Sequence, residues 1–269
     1  MDMKPPLKDQ DKLRQKKLIV FDIDGTLTPS KAPADKEMIG LLLDLLSKKS
    51  VAIIGGGKYD LFKQQLTDQM QESDKRLERL YLFPTNSTAF YRFNGSWNKV
   101  YSHELSEPEK EKINNAFEET FNKVNYQHPP KTYGVIIEDR GTQISFSPLG
   151  QEAVAMLGEK EGVILKEEWN KKNDPLRQKM RDILQELLPE FEVRAGGLTT
   201  IDITRKGIDK AYGVREIAKQ LNIEVEEMLF VGDAIYPGGN DYAALQTGID
   251  YVKVENPTDT KELIRTLIS

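Results

Sequence analysis

The stretch "KKLIVFDIDGTLTPS" (residues 16–30) decides the fold class of this 269-residue chain. Four apolar residues, 18 to 21, are typical of a buried strand and lead directly into Asp22 and Asp24. Folding alone gives no reason to place two carboxylates there. Residues i and i+2 of an extended segment point to the same side, so both carboxylates can face one ligand. Gly25 permits the positive φ of a sharp turn, after which backbone N–H groups can hold anionic oxygens.

Composition excludes several classes of protein and of site. The formal net charge of −5 argues against nucleic acid as a partner, because phosphate-backbone binding needs a basic surface. The chain has no cysteine and two histidines, so we expect neither a disulfide nor a thiolate or multi-histidine metal site. No apolar run approaches the roughly 18 residues that span a bilayer, and residues 1–15 lack the apolar segment of a signal peptide. We therefore expect a cytoplasmic protein without a membrane partner, beginning with a polar, solvated tail (1–15).

Short apolar runs alternate with helical patterns near both ends of the chain. The runs predict strands at 18–21, 51–54, 80–83, 199–204, 228–231 and 250–254. Helices are predicted from Asp35, after Gly57, from Asp209, and over 258–267. Continuous apolar strands separated by helices favour an α/β fold with a parallel sheet covered on both faces.

The middle of the chain has a different pattern. Asn94-Gly95 favours a tight hairpin, and Ser106 with Glu109 forms a capping box. A second hairpin is expected across residues 140–142, followed by a helix from Asp174 and a strand at 191–195. We expect a core domain of 16–93 plus 199–269, with an α+β cap domain inserted at 94–198.

Polar residues collect at the carboxyl ends of the predicted core strands, where open parallel sheets bind ligands. Asp22 and Asp24 follow the first strand, Asp233 follows another, and Lys210 opens a helix. Two carboxylates about 4 Å apart repel by roughly 4 kcal/mol at an effective dielectric near 20, so a cation must offset them. Oxygen ligands without histidine or thiolate favour Mg²⁺. The pattern predicts magnesium-dependent phosphoryl transfer.

The same residues resemble a known superfamily. "DIDGT" (22–26), Lys210 and "GDAIYPGGND" (232–241) are similar to the first, third and fourth motifs of the haloacid dehalogenase (HAD) superfamily. "FSPLG" (146–150) and "GGLTTID" (196–202) further resemble the eukaryotic-type phosphomannomutase branch, which belongs to subclass IIB. The resemblance covers nearly the whole chain after residue 15 and implies a Rossmann-like parallel-sheet core with an inserted α+β cap.

The resemblance implies roles for three catalytic residues. Asp22 would be the nucleophile that becomes an aspartyl phosphate. Asp24 would protonate the leaving oxygen and later deprotonate the acceptor. Lys210 would hold the transferring phosphoryl group.

It also implies how the metal and the substrate are bound. The metal site would comprise the Asp22 carboxylate, the backbone carbonyl of Asp24, Asp233, and Asp241. The substrate site would comprise Gly55, Gly56, Gly57, Arg140, Thr200, Asp202 and Asn240, the last also supporting the fourth-motif loop. Gly55 departs from much of the superfamily, which has Thr or Ser there to bind phosphate. The mutase branch instead has glycine at that position and serine two residues on, where this chain has Gly57, so the serine hydroxyl is absent. The expected partner is a phosphorylated sugar, and a homodimer through the cap is compatible with the family.

The choice between mutase and phosphatase depends on cap arginines that would hold a second phosphate. Arg140 matches one, but Tyr133 and Gln151 stand where two others are expected. Charged hydrogen bonds contribute about 1.5–3 kcal/mol each, so their loss would weaken the site by roughly 3–6 kcal/mol. Lys131, Lys166 or Arg194 are the candidates to replace that charge.

We therefore expect a Mg²⁺-dependent phosphohydrolase acting on a sugar phosphate, with a hexose phosphate favoured. The alternative is a phosphomannomutase or phosphoglucomutase. A non-catalytic sugar-phosphate-binding protein is a third hypothesis, disfavoured because pure binding needs no acid/base aspartate.

Overall fold

The computed structural model describes residues 6–29 and 32–269. The chain divides into two compact units. The first comprises the described residues of Met1–Ser102 together with Ile208–Ser269, and the second comprises His103–Gly207. The second unit is thus an insertion within the first.

The first unit is built on a seven-stranded sheet with the order β11-β10-β1-β2-β3-β4-β5. Its strands are β1 (Leu18–Asp22), β2 (Ser50–Ile54), β3 (Leu80–Phe83), β4 (Ala89–Phe93), β5 (Trp97–Ser102), β10 (Met228–Gly232) and β11 (Asp250–Lys253). The strands from β11 to β3 pair in parallel, whereas β4 and β5 are antiparallel. The predicted α/β fold with a parallel sheet is confirmed.

Both faces of this sheet are covered, which explains why its strands read as continuous apolar runs. Along β1, Ile19 and Phe21 pack into one hydrophobic cluster, while Leu18 and Val20 pack into another on the opposite face. All four side chains are fully buried. Alternate residues of a strand point to opposite faces, so a strand buried on both sides needs apolar residues at every position.

Helices of the first unit supply both clusters. They are α1 (Gln10–Gln15), α2 (Lys36–Lys48), α3 (Tyr59–Gln65), the single turn α4 (Pro84–Ser87), α8 (Lys210–Leu221) and α9 (Pro257–Ile268). Short 3₁₀ turns cover Thr67–Gln69, Lys75–Arg79, Val225–Glu227 and Tyr242–Thr247. The Asp35 side chain caps α2 by accepting from the Met38 N–H, as predicted.

The second unit is an antiparallel sheet with three helices. Its strands, in the order β6-β7-β9-β8, are β6 (Ile137–Asp139), β7 (Ile144–Phe146), β8 (Phe191–Gly196) and β9 (Thr200–Arg205). Its helices are α5 (Glu107–Lys123), α6 (Ala153–Leu157) and α7 (Glu159–Leu187). One sheet face packs on α5 and α7 through Phe117, Phe146, Leu184, Ile201 and Ile203. The predicted α+β cap is therefore present.

In the described part of the chain, no helix has both the length and the apolar composition needed to cross a bilayer.

The domain boundaries differ from the predicted 94–198. The β4–β5 hairpin belongs to the first unit, because β4 pairs directly with β3 and extends the core sheet. Residues 199–204, predicted as a core strand, form β9, which pairs antiparallel with β7 and β8 in the second unit. An apolar strand before a helix has the same local pattern whichever sheet it joins, so the pattern alone could not assign it.

Two further segments differ from expectation. The solvated tail expected for residues 1–15 lies partly outside the described residues (1–5), but Gln10–Gln15 form α1, whose Leu13 is 4% exposed in the core. Helix α7 begins at Glu159, before the predicted start at Asp174, and continues through Pro175. Proline removes one helical N–H, and the packed face of a 29-residue helix outweighs that loss.

The packing of α1 predicts that Leu13 is structural. Leu13→Ala should lower the free energy of unfolding by about 2–5 kcal/mol, because a buried methyl cluster is lost and a cavity remains. Chemical denaturation measures the change. Lys12→Ala, at an exposed position of the same helix, is the matched control and should leave stability nearly unchanged. If both variants were equally stable, Leu13 would not contribute to the core, and the segment would be a solvated tail as first expected.

Candidate active site

A cluster of three carboxylates, two of them buried and one half-buried, lies at the carboxyl edge of the core sheet. Asp22 ends β1, and Asp233 and Asp241 follow β10, the parallel neighbour of β1. One carboxylate oxygen from each lies within 4.8 Å of the others. Asp22 is 4% exposed and Asp241 is fully buried. Adjacent parallel strands end at the same edge, so residues more than 200 positions apart converge here.

Lys210 enters this cluster from the first turn of α8, a helix capped by the Asp209 side chain. Its ammonium donates a short hydrogen bond to Asp22 Oδ1 and another, of 3.3 Å, to the Ile54 carbonyl. It also lies 3.3 Å from Asp241 Oδ1. The Lys210 side chain is 1% exposed, so this is a buried ion pair. A lysine at a helix start is usually solvated, and its burial here indicates a function.

The cluster shifts the pKa values of its members. Burial raises the pKa of Asp22 well above its ordinary value; Lys210 opposes that shift, while Asp241 and Asp233 reinforce it. Burial, with repulsion from Asp241, raises the pKa of Asp233 to about 6. Burial disfavours the Lys210 ammonium, but Asp22 and Asp241 outweigh it, and the Lys210 pKa is raised. The site thus holds more negative charge than one lysine can neutralise.

Two glycines make room for these carboxylates. Gly25 has φ +86°, and a Cβ there would lie 2.5 Å from Asp233 Oδ2. A Cβ at Gly232 would lie 2.3 Å from Asp241 Oδ2. Both approaches are shorter than a carbon–oxygen contact allows, so only glycine lets the carboxylates come this close to the backbone.

The cluster fits a divalent cation. Three carboxylates facing one ammonium leave a formal charge of −2 when all are ionised. The donors are oxygen only, and hard cations such as Mg²⁺ and Ca²⁺ take oxygen ligands. Asp22, Asp233 and Asp241 are the residues that would hold the ion.

Asp24 lies outside this carboxylate cluster and is half-buried. Its Oδ1 accepts a 2.9 Å hydrogen bond from Gln65 Nε2, on the last residue of α3. The same Nε2 lies 3.0 Å from Thr28 Oγ1, and both Gln65 and Thr28 are buried. The carboxylate expected to move a proton is therefore held by an amide.

The glycine loop 55–57 follows β2. Because it has no side-chain hydroxyl, it can contact a ligand only through its main-chain atoms. A Cβ at Gly55 would lie 2.7 Å from Ile23 Cγ2, so packing against Ile23 favours glycine at this position. The loop is held by α4, where the Thr85 and Asn86 N–H groups donate to the Gly57 and Gly55 carbonyls at 2.9 Å each. Thr85, Asn86 and Ser87 have φ of 49°, 53° and 69°. Such strain costs of order 1–3 kcal/mol per residue and clusters at functional sites.

Two of the expected substrate residues of the second unit, Arg140 and Asp202, belong to one polar network. Arg140 Nε donates to Glu138 Oε2 at 2.8 Å, and its guanidinium lies 4.0 Å from Asp202 Oδ1. Arg140 also donates to Gln151 Oε1 at 3.1 Å. Thr200 Oγ1 donates to the Gly196 carbonyl at 2.6 Å. One guanidinium thus lies beside two carboxylates, and the arginine charge is compensated within the protein.

The structure sorts the predicted site residues into groups. It brings together Asp22, Lys210, Asp233 and Asp241 in the first unit, and Arg140 and Asp202 in the second. Asn240 is exposed beside buried Asp241. Sequence reasoning missed Gln65, although a polar residue three positions after Phe62 on the apolar side of α3 was a usable signal. It also missed the left-handed run 85–87, which "PTNS" does not distinguish from an ordinary turn.

A sheet of this order, with aspartates gathered after β1 and β10, in a chain that carries an inserted second unit, fits the HAD superfamily that the motifs indicated. Solved structures of this fold include Plasmodium falciparum IMP-nucleotidase (TM-score 0.67, 17% identity, covering 96% of this chain and 71% of that one). Aspergillus fumigatus trehalose-6-phosphate phosphatase is another (TM-score 0.56, 17% identity, covering 98% and 99%). At these identities the likeness establishes the fold.

Sequence comparison identifies the family. The sequence model of the eukaryotic phosphomannomutase family matches residues 38–269 of this chain. The phosphomannomutase of Encephalitozoon cuniculi is 30% identical over 256 residues, covering 91% of each chain. Human phosphomannomutase 1 is 27% identical over 234 residues, covering 85% of this chain and 83% of that protein. The chain belongs to the eukaryotic phosphomannomutase family, as its motifs indicated, and it is an enzyme of that family rather than a binding protein.

The raised pKa of Asp233 predicts an unusual pH dependence of stability in the metal-free protein. Its pKa is about 6 in the folded state against an ordinary 3.8, so between these values the folded state binds more protons than the unfolded state. Stability should therefore rise as pH falls from 7 to 5, the reverse of a salt-bridged carboxylate. Thermal unfolding with a chelator measures this.

Two controls isolate the source of this slope. Asp233→Asn should reduce the slope and leave the part that the raised pKa of Asp22 contributes in the same direction. Excess Mg²⁺ should also reduce it, because a bound cation keeps the carboxylates ionised. Glu109, whose pKa Arg205 and Ser106 lower to about 2, acts only below this pH window. A slope that Asp233→Asn leaves unchanged would locate the titrating group elsewhere.

Proposed function

We propose that the protein is a magnesium-dependent hexose-phosphate phosphotransferase of the phosphomannomutase type, acting through an aspartyl phosphate on Asp22. The observation that carries this proposal is the pairing of buried Asp22 with Lys210 inside the carboxylate cluster. The family match over residues 38–269 supports the mutase, the alternative in the sequence analysis, better than the phosphohydrolase favoured there.

The residues divide the reaction into two displacements. An Asp22 oxygen attacks phosphorus, the bond from phosphorus to the sugar oxygen breaks, and that oxygen takes a proton from Asp24. In the second displacement Asp24 accepts the proton of the incoming hydroxyl, whose oxygen attacks phosphorus and frees Asp22. Lys210 offsets the charge on the transferring group, and the glycine loop 55–57 places main-chain atoms at its oxygens. A bound Mg²⁺ would supply charge neutralisation and alignment.

A phosphohydrolase is the second candidate, and the charge of the Arg140 network favours it. A mutase must hold a second phosphate while the first reacts. Here the Arg140 charge is opposed by Glu138 and Asp202, Gln151 offers an amide, and Tyr133 is buried under Lys131. Two other residues were candidates to replace the missing arginine charge. Lys166 is buried, with 6% of its surface exposed, and the Arg194 guanidinium lies 3.5 Å from a Glu192 carboxylate oxygen. A dianion is a poor match for this network.

The substrate class within this proposal is a hexose monophosphate. Asp202 and Ser145 share a 2.6 Å hydrogen bond on the polar face of the second sheet, and Thr200 lies on the same strand as Asp202. Carboxylate and hydroxyl groups of this kind suit sugar hydroxyls. A homodimer through the cap stays a prediction, which sedimentation velocity would check.

The nucleophile prediction tests the proposed chemistry. Asp22→Asn should reduce turnover of p-nitrophenyl phosphate by at least about 10³-fold, because an amide oxygen is a far weaker nucleophile than a carboxylate. Circular dichroism should show an intact fold. Chelation of the wild type should also stop turnover, and Mg²⁺ should restore it. Wild-type turnover in the variant would remove Asp22 from the mechanism.

A second prediction separates mutase from phosphohydrolase. Mannose 1-phosphate and glucose 1-phosphate are supplied with and without the 1,6-bisphosphate, and the 6-phosphate and inorganic phosphate are measured in parallel. A mutase forms the 6-phosphate and is stimulated by the bisphosphate. We expect isomerisation, accompanied by substantial phosphate release because the second-phosphate site is weakly cationic. Phosphate release alone, unaffected by bisphosphate, would establish the hydrolase instead.

A double variant tests whether the missing cations set that ratio. Tyr133→Arg/Gln151→Arg adds two positive charges in the second unit and should shift the product ratio toward isomerisation by about tenfold or more, since each charged hydrogen bond contributes about 1.5–3 kcal/mol. Tyr133→Phe/Gln151→Leu adds no charge and is the matched control. An unchanged ratio in the arginine variant would show that the neutral residues at 133 and 151 do not limit mutase activity.

A further inference from the structure

Gln65 is a buried polar side chain whose amide contacts two residues of the loop after β1, Asp24 and Thr28. It is 1% exposed. Its Nε2 donates to Asp24 Oδ1 at 2.9 Å and lies 3.0 Å from Thr28 Oγ1. Thr28 is itself fully buried, and its backbone carbonyl accepts from the Gly25 N–H at 2.7 Å. One amide group therefore ties the end of α3 to both ends of the turn that carries Asp24.

The chemistry of the contact fixes which end of the amide faces Asp24. A carboxylate has no hydrogen to donate, so only the NH₂ group makes a favourable contact with it. The reversed amide would place Oε1 against a carboxylate oxygen. The hydrogen bond to a charged acceptor contributes about 1.5–3 kcal/mol, which is enough to hold the carboxylate in one rotamer.

Burial of the amide oxygen of Gln65 costs free energy. Gln65 Oε1 is buried and has no hydrogen-bond partner among the described residues. Leaving a buried acceptor unsatisfied costs about 1–3 kcal/mol. An apolar side chain of similar size, such as methionine, would pack beside Phe62 and Leu66 without that cost. The amide is therefore not explained by packing, and within residues 6–29 and 32–269 the charged group with which it interacts is Asp24.

We propose that Gln65 is the positioning residue for the acid/base carboxylate Asp24. By donating to Oδ1, Gln65 fixes the orientation of the carboxyl group that exchanges a proton with the leaving and incoming hydroxyls. The inference rests on the proposed function, because it assigns Gln65 a role only through the proton transfer of Asp24.

Positioning of Asp24 by Gln65 should affect the rate of phosphorylation by some substrates and not by others. A sugar alkoxide is a poor leaving group and needs the proton of Asp24, so its departure depends on how that carboxyl is held. A p-nitrophenolate leaves without a proton. Phosphorylation of Asp22 by the aryl ester should therefore be insensitive to Gln65, whereas phosphorylation by a hexose phosphate should not. Hydrolysis of the aspartyl phosphate should again depend on it, because the incoming water must lose a proton.

The test compares Gln65→Met with the wild type in single-turnover and burst experiments on the full chain with Mg²⁺. With p-nitrophenyl phosphate, the burst of p-nitrophenolate should stay within about twofold of the wild-type rate, while the following steady state slows. With glucose 1-phosphate or mannose 1-phosphate, formation of the aspartyl phosphate should slow by about 10- to 100-fold, part of the 10²–10⁴ that general acid–base catalysis supplies. Gln64→Met, at the exposed neighbouring position, is the matched control and should match the wild type throughout.

Gln65→Glu is the second variant, because it keeps the shape of the side chain and replaces the donor by an acceptor. It should show the same selective loss, which keeps the test decisive if the methionine variant folds poorly. An equal fall for aryl and hexose esters, or no fall for either, would overturn the positioning role. A wild type that forms no aspartyl phosphate from any ester would overturn the proposed function and the inference with it.

Discussion

The ion pair between Lys210 and Asp22 is the constraint on which the rest of the structure depends. Both side chains are almost fully buried, and removing one partner of such a pair typically costs about 3–5 kcal/mol, because the other charge is left uncompensated. To make the contact, α8 must begin at the carboxyl edge of the sheet and lie close against β2. Gly213 allows this, since a Cβ there would lie 2.2 Å from Ile54 Cδ1. The helix start, the strand register and the acidic cluster are thus parts of one arrangement.

Sequence reasoning succeeded where one local pattern had one structural meaning. The apolar run of β1 followed by Asp22 and Asp24 led to the sheet, its edge and the acidic site, and Asp35 marked the start of α2. It failed where local patterns are shared by different structures. The strand β9 precedes a helix just as a core strand would, yet it joins the second sheet. Gln65 became visible only when folding brought α3 against the turn that carries Asp24.

The two units of the chain have different parts in the proposed function. The first holds the charged groups to which the proposed mechanism assigns the formation and discharge of an aspartyl phosphate, and packing against Ile23 favours glycine at position 55 of its glycine loop. In the proposed mechanism, main-chain atoms, Lys210 and a bound cation would therefore recognise the transferring phosphoryl group. None of these groups distinguishes one acceptor from another, so the acceptor has to be selected by the residues around the sugar.

The proposed function assigns that selection to the electrostatics of the second unit. Arg140 lies between Glu138 and Asp202, so an approaching phosphate meets a guanidinium whose charge is already compensated. A sugar hydroxyl meets donors and acceptors in the same place and needs no net charge. A family scaffold can therefore keep its nucleophile, its acid/base residue and its metal ligands while the balance between water and a sugar as acceptor shifts. Because an aspartyl phosphate reacts with whichever hydroxyl reaches it first, a loss of a few kcal/mol in holding the second phosphate is enough to change the product.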